Sequence, residues 1–227
     1  MLRLIRFFIL LVLKSLRYFF YPTQVQWVND QKVKSWKDVR LVVLLNHTSL
    51  AEFIYAGVFP ISYMWRHSKH LVFPIADITY DRFLFGRFLR QLAPDVPSLS
   101  RKKDQSWFRF LEALKEKSIL IFAPEGRMKR RNGLDKNGKP MTTRGGICDV
   151  LQKMKAGKLV FVYSAGLHHV LAPGDRYPKI FKRIKVRMEV VDIGNYIKRF
   201  NLESGRLDKR ALCKNLEERR DKFCPVL

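Results

Sequence analysis

Cysteine is scarce in this chain: Cys148, Cys213 and Cys224 are the only three in 227 residues, and they lie far apart. An odd count with no CxxC pair and no Cys/His ligand spacing argues against a disulfide framework or a structural zinc, and fits a reducing compartment. Acidic residues are few as well, 20 Asp and Glu against 44 Lys and Arg, which leaves a formal net charge of +24. Such a chain carries a strong positive field whatever its fold, so its partner is expected to be anionic. Composition by itself does not choose between nucleic acid and the phospholipid headgroup layer. No helix-turn-helix, zinc-finger or RRM signal accompanies the charge, so nucleic acid is not the expected partner.

A long apolar run is also lacking. Residues 1–22 read MLRLIRFFILLVLKSLRYFFYP, and the longest stretch without a charge is residues 7–13. A spanning helix needs about 18–20 predominantly apolar residues, and no small-residue cleavage site follows, so neither a span nor a cleaved signal fits. On a helix, Arg3, Arg6, Lys14 and Arg17 fall within an arc of about 80°, leaving Leu4, Phe8, Val12, Tyr18 and Phe19 for other faces. Two readings are open: a helix lying in the membrane interface, cations up and aromatics down, or an amphipathic helix packed on its own domain. The density of Phe, Leu and Ile favours lipid.

What is present is material for one substantial core: 47% of the residues are apolar, and nothing divides the chain into comparable halves. Buried strands are predicted at residues 41–45, 119–122, 159–163 and 186–191, with a shorter one at 71–75. Helical spacing occupies 50–59, 82–92, 105–117 and 143–155, so strands and helices alternate. That alternation predicts an α/β layer, a mostly parallel sheet flanked by helices and preceded by the amphipathic N-terminal helix. Three segments are expected: the N-terminal helix at 1–22, the α/β domain at 23–206, and a charged C-terminal helix at 207–227. The last is read as a solvated amphipathic helix without chemistry of its own.

Chemistry is expected where strands end, because open α/β sheets place ligands at the carboxyl ends of their strands. The strand at 41–45 runs into NHTSLAE, residues 46–52. His47 stands at the mouth of the sheet, where an imidazole can take a proton from a hydroxyl once a carboxylate fixes its tautomer. Glu52, one turn into the next helix, is placed to do so. However, Ser49 to Glu52 is also S-x-x-E, a capping box in which the carboxylate serves only the helix start, and the two readings weigh evenly. A second strand end reads Phe122-Ala123-Pro124-Glu125-Gly126-Arg127 and feeds the basic loop 129–146. Its glycine and cations suggest a phosphate site, with an ordinary solvated basic loop as the alternative.

Taken together, NHTSLAE, Arg101 in Ser98-Leu99-Ser100-Arg101, and the Pro124-Glu125-Gly126 core resemble, in order and spacing, the glycerolipid acyltransferase superfamily of the lysophosphatidic acid acyltransferase type. The resemblance runs over residues 39–162. It implies His47 as general base on the acceptor hydroxyl and Glu52 as its orienting carboxylate, where Asp is usual in the family. It implies Arg101, Glu125, Gly126 and Arg127 as the acceptor-binding set, Arg101 and Arg127 holding a phosphate and Glu125 shaping the turn. Departures are Arg127 where Thr is usual, Met128 where Arg is usual, and no proline in the fourth block at 159–163. His168 and His169 match nothing in the family. Neighbouring side chains on a strand point apart, so they are expected to be polar or acceptor contacts and not a metal site.

The implied activity is transfer of a fatty acyl group from acyl-CoA or acyl carrier protein to a lysophospholipid such as 1-acylglycerol-3-phosphate, with no cofactor. Expected partners are anionic membrane phospholipids, the lysophospholipid acceptor and the acyl donor, at the cytoplasmic face of a membrane. The alternatives are a non-phosphatidate acceptor such as an amino- or sugar-lipid, and a membrane lipid-binding protein without catalysis.

Overall fold

The computed structural model describes residues 2–76, 91, 98–100 and 104–227. The helix expected at 82–92, apart from its residue 91, and Arg101 lie outside the described residues. The chain opens with helix α1 (Leu2–Phe20), which Pro22 ends, and strand β1 (Thr23–Trp27) follows. Strand β2 (Val39–Leu45) leads into a 3-10 helix (Leu50–Val58) and helix α2 (Ile61–His70). Next come β3 (Leu71–Val72), β4 (Ile75–Ala76), β5 (Ser98–Leu99), α3 (Gln105–Ala113) and β6 (Ile119–Phe122). Helix α4 (Gly146–Met154), strand β7 (Lys158–Ala165), helix α5 (Leu167–Leu171) and strand β8 (Ile184–Asp192) follow, and α6 (Ile193–Lys198) and α7 (Lys209–Phe223) close the chain.

Six strands pair in the order β1-β8-β7-β2-β6-β3, all parallel except the β7–β8 pair. The expected mostly parallel α/β layer is therefore what forms. β4 and β5 pair separately. β1 is an addition to the strands read from sequence: TQVQW is mostly exposed at a sheet edge, so it lacks the apolar run that marks a buried strand. β2 sits in the middle, flanked by β7 and β6, and its apolar run is the one a strand covered on both faces requires. Leu41, Val43 and Leu45 pack with α3, α4, α6 and α7 on one side. Val39 and Val42 pack with α1, the 3-10 helix and α2 on the other.

α7 differs from its sequence reading. Leu212 and Leu216 are fully buried in the first core cluster, and Arg219 pairs with Glu189 of β8 at 2.6 Å. Two leucines one turn apart suffice to seat an otherwise charged helix.

α1 is inverted relative to an ordinary surface helix. Leu10 and Leu13 pack on the domain, and the cations go the same way. Arg6 is buried, Lys14 Nζ donates to the Gly57 and Phe59 carbonyls at 2.9 Å each, and Arg17 donates to the Thr23 carbonyl. Gly57 permits this approach: a Cβ there would meet the Arg17 side chain at 2.9 Å. Leu4, Phe8, Val12, Leu16, Tyr18 and Phe19 are left in the open. Among the described residues no helix is long and apolar enough to cross a membrane.

Candidate active site

Parallel pairing brings the carboxyl ends of β2, β6 and β7 to one rim. β2 leaves the sheet through Asn46 at φ 70°, a left-handed turn that asparagine tolerates better than most side chains. Asn46 is held on three sides: its Nδ2 donates to the Ser164 carbonyl of β7 at 2.8 Å, its Oδ1 accepts from Lys129 Nζ at 3.3 Å, and its backbone N–H donates to Glu125 at 3.3 Å. The turn aims His47 out of the sheet.

His47 Nδ1 lies 2.6 Å from Glu52 Oε2, with 22% of the histidine side chain and 9% of the glutamate's exposed. Glu52 makes contacts of both kinds at once. Its Oε1 accepts from the Thr48 backbone N–H at 3.2 Å, and Ser49, the helix N-cap, accepts from the Ala51 N–H at 2.9 Å. One carboxylate oxygen serves the helix start and the other serves the imidazole. Burial alone would push the His47 pKa down, but the charge and hydrogen bond of Glu52, helped by the charge of Glu125, outweigh it and hold the pKa above the ordinary histidine value. With Nδ1 turned to Glu52, a neutral ring keeps its proton there, which leaves Nε2 as the basic nitrogen.

Glu125 is 1% exposed and turned inward. Its oxygens accept from the backbone N–H groups of Asn46 and His47, the latter at 2.8 Å, and from Arg220 Nη1 of α7 at 3.2 Å. Lys129 N–H donates to the His47 carbonyl at 2.7 Å, so the loop after β6 grips both sides of the His47 backbone. Gly126 has φ 60°, and a Cβ there would stand 3.3 Å from Arg144 Cδ. The tight turn therefore needs glycine.

Arg127 is engaged within the chain. It hydrogen-bonds the buried Asp135 carboxylate and donates to Thr142 Oγ1 at 3.2 Å, which folds the basic loop back on itself. Arg101 is outside the described residues. His168 and His169 lie not on a strand but in the short helix α5, their ring centroids 3.9 Å apart. Burial, then His169, Arg131 and Lys129, depress the His168 pKa. Among the described residues no group of three His, Cys, Asp or Glu comes together as metal ligands would.

Arg220, Asp135 and Ser164 were not found from the sequence. Asp135 stands eight residues from Arg127 in a Gly-rich loop and offered a weak local signal. Arg220 sits in a run of alternating charge, where no pattern separates the inward Arg219 and Arg220 from their outward neighbours. Such a rim, with a carboxylate-oriented imidazole whose backbone is clamped, and with Lys129 and Arg220 bound to the neighbouring Asn46 and Glu125, is equipped to deprotonate a hydroxyl.

No protein-family model matches the sequence, and no curated protein matches it. Among solved structures the fold is similar to the crystal structure of the 1-acyl-sn-glycerophosphate (LPA) acyltransferase PlsC from Thermotoga maritima. The TM-score is 0.58 at 15% sequence identity, over 97% of this chain and 82% of that one. At that identity the likeness is one of fold.

Proposed function

We propose that this protein is a membrane-associated O-acyltransferase that transfers a fatty acyl group from acyl-CoA or acyl carrier protein to the hydroxyl of a lysophospholipid such as 1-acylglycerol-3-phosphate. The observation that carries the reading is the 2.6 Å His47–Glu52 pair at the strand ends of the sheet, on a fold similar to that of an LPA acyltransferase. His47 Nε2 takes the proton as the acceptor oxygen attacks the thioester carbonyl carbon. Glu52 stabilises the imidazolium, and that proton passes to the departing thiolate as the carbon–sulfur bond breaks. No acyl-enzyme is needed.

The outward apolar face of α1 supports residence at a bilayer, and the free cysteines fit the cytoplasmic face. Lys129 and Arg131, with Arg127 and Arg101, are proposed to attract the acceptor phosphate and the anionic donor.

The engagement of Arg127 by Asp135 favours a second reading, in which no phosphate is held at that arginine and the acceptor is an amino- or sugar-lipid. The deciding experiment gives the detergent-purified protein mixed acyl-CoA and acyl carrier protein donors with a panel of phosphate, amino and sugar lysolipids, and reads products by mass spectrometry beside His47→Ala. A diacyl product that His47→Ala lowers by about 10²–10⁴-fold, the usual worth of general-base assistance, supports catalysis and names the acceptor. Equal product from both proteins removes His47 from the mechanism. No product from a folded protein that still binds vesicles leaves the non-catalytic lipid-binding alternative.

A further inference from the structure

Between α5 and β8 the chain runs through residues 173–183, PGDRYPKIFKR. Tyr177, Ile180 and Phe181 are exposed in it, and Arg176, Lys179, Lys182 and Arg183 stand around them, also exposed. The segment is fixed at two points along its length and again where it enters β8. Lys179 N–H donates to the Val170 carbonyl, Phe181 N–H to the Phe20 carbonyl, and Ile184 N–H to the Pro22 carbonyl, at 2.8, 2.8 and 2.9 Å. The Phe181 ring also meets the Phe20 ring at 5.9 Å between centroids. Ile180 and Phe181 are thereby held beside the end of α1, where Tyr18 and Phe19 are 75% and 68% exposed.

Phe181 has φ 60°, a left-handed conformation that is strained for an aromatic residue. The strain does not bury the ring, which is 64% exposed. A strained residue that presents an aromatic ring to the outside is better explained by something it meets there than by the stability of the free chain. The charge around it is one-sided. Asp175, the segment's single carboxylate, accepts from the Ala172 N–H and pairs with Arg131 at 3.1 Å, so what the segment presents outward is cationic.

We infer that residues 176–183 are a second bilayer-contacting element. Ile180 and Phe181 enter the interface next to Tyr18 and Phe19, and the lysines and arginines around them bind the phosphates of anionic lipid. Aromatic and aliphatic tips among cations match a headgroup layer, where the apolar body sinks and the charge stays with phosphate. A nucleic-acid duplex would use the cations and leave Ile180 and Phe181 wet, and a single strand would stack on Phe181 but leave the aliphatic Ile180 without a partner. The segment also joins this surface to the site: it follows α5, which carries His168, and Asp175 ties it to Arg131 of the basic loop. With contacts on both α1 and this loop, the bilayer sets the height and tilt of the His47 rim above the headgroups. The inference rests on the membrane reading of α1.

Vesicle co-sedimentation of the full chain tests it, with phosphatidylcholine alone and with added phosphatidylglycerol. The variants are the pair Ile180→Ser/Phe181→Gly on the loop and the pair Tyr18→Ser/Phe19→Ser on α1. Glycine relieves the left-handed strain at 181, so the loop pair is expected to unfold at the same temperature as the parent or higher. Its partition onto phosphatidylglycerol vesicles is expected to fall by about tenfold or more, from the lost insertion of two apolar side chains. Lys179→Gln/Lys182→Gln is expected to remove much of the gain that phosphatidylglycerol gives. Undiminished partition of the loop pair, with loss confined to the α1 pair, overturns the loop proposal and leaves the α1 reading standing. No vesicle binding by the parent chain overturns both. A loop pair that changes only self-association in sedimentation velocity assigns the surface to a second copy of this chain instead.

Discussion

Glu52 and Glu125 end two neighbouring parts of the same rim, and each carboxylate is divided between a backbone amide and a cationic or basic partner. Glu52 gives one oxygen to the Thr48 N–H and the other to the His47 ring. Glu125 gives its oxygens to the Asn46 and His47 N–H groups and to Arg220. They differ in what they hold. Glu52 sets the proton on the imidazole, while Glu125 sets the backbone from which the imidazole hangs. If His47 is the base proposed above, the carboxylate that touches its ring tunes its chemistry, and the one that touches its backbone tunes its place.

The comparison is broken most forcefully at Glu52. Glu52→Gln keeps the size and one acceptor for the Thr48 N–H but removes the charge, so kcat is expected to fall by about 10²-fold or more with little change in thermal stability. The pH dependence supplies the sign. As the proposed base, His47 would act when neutral, and its pKa is held above the ordinary value by Glu52 and Glu125 against burial. The acid limb of the parent kcat–pH profile is expected above the usual histidine midpoint, and Glu52→Gln is expected to move it down, since burial is then opposed only by Glu125. A limb that stays in place would detach Glu52 from the titration of His47.

Next in size is Arg220→Met. It strips a buried carboxylate of its cation, which typically destabilises by about 3–5 kcal/mol. Loosening of the His47 backbone is expected to cost on the order of ten- to a hundredfold in kcat, without shifting acceptor KM. Amide exchange sharpens the contrast. The Asn46 and His47 amides should lose protection in Arg220→Met while those of β2 keep theirs, and Glu52→Gln should leave both protected. Uniform deprotection in Arg220→Met would reduce Arg220 to general stability.

The smallest effect is expected at Arg127. Arg127→Gln is expected to raise the acceptor KM by several-fold, in keeping with one charge-assisted hydrogen bond, with kcat nearly intact. An unchanged KM would fit a guanidinium fully committed to Asp135 and would strengthen the non-phosphate acceptor.

The Glu52 side of this comparison was legible in the chain itself, because histidine, cap and carboxylate lie within NHTSLAE, directly behind an unbroken apolar strand. The Glu125 side was legible only in part. Pro124-Glu125-Gly126 signalled a tight turn, and the glycine is indeed left-handed, but nothing in the sequence says that an arginine 95 residues on closes the clamp. The edge strand β1 escaped for a related reason, since TQVQW pairs on one side and buries little.

By itself, the sequence determined the buried strands, the parallel α/β arrangement, the His47–Glu52 spacing and the excess of positive charge. These are local or compositional: periodicity is read within one element, the His47–Glu52 spacing across one strand-to-helix junction, the layer type from the alternation of elements, and charge from composition. Only the tertiary structure decided which of the many arginines turn inward, that Asp135 engages Arg127, that α1 points its cations at the domain and Phe8, Tyr18 and Phe19 away, and that the 173–183 segment lies against the end of α1. Those outcomes depend on which backbone carbonyls and carboxylates the fold brings within reach of each long cationic side chain. In a chain with 44 lysines and arginines, the local pattern leaves too many equivalent candidates for any one of them to be singled out.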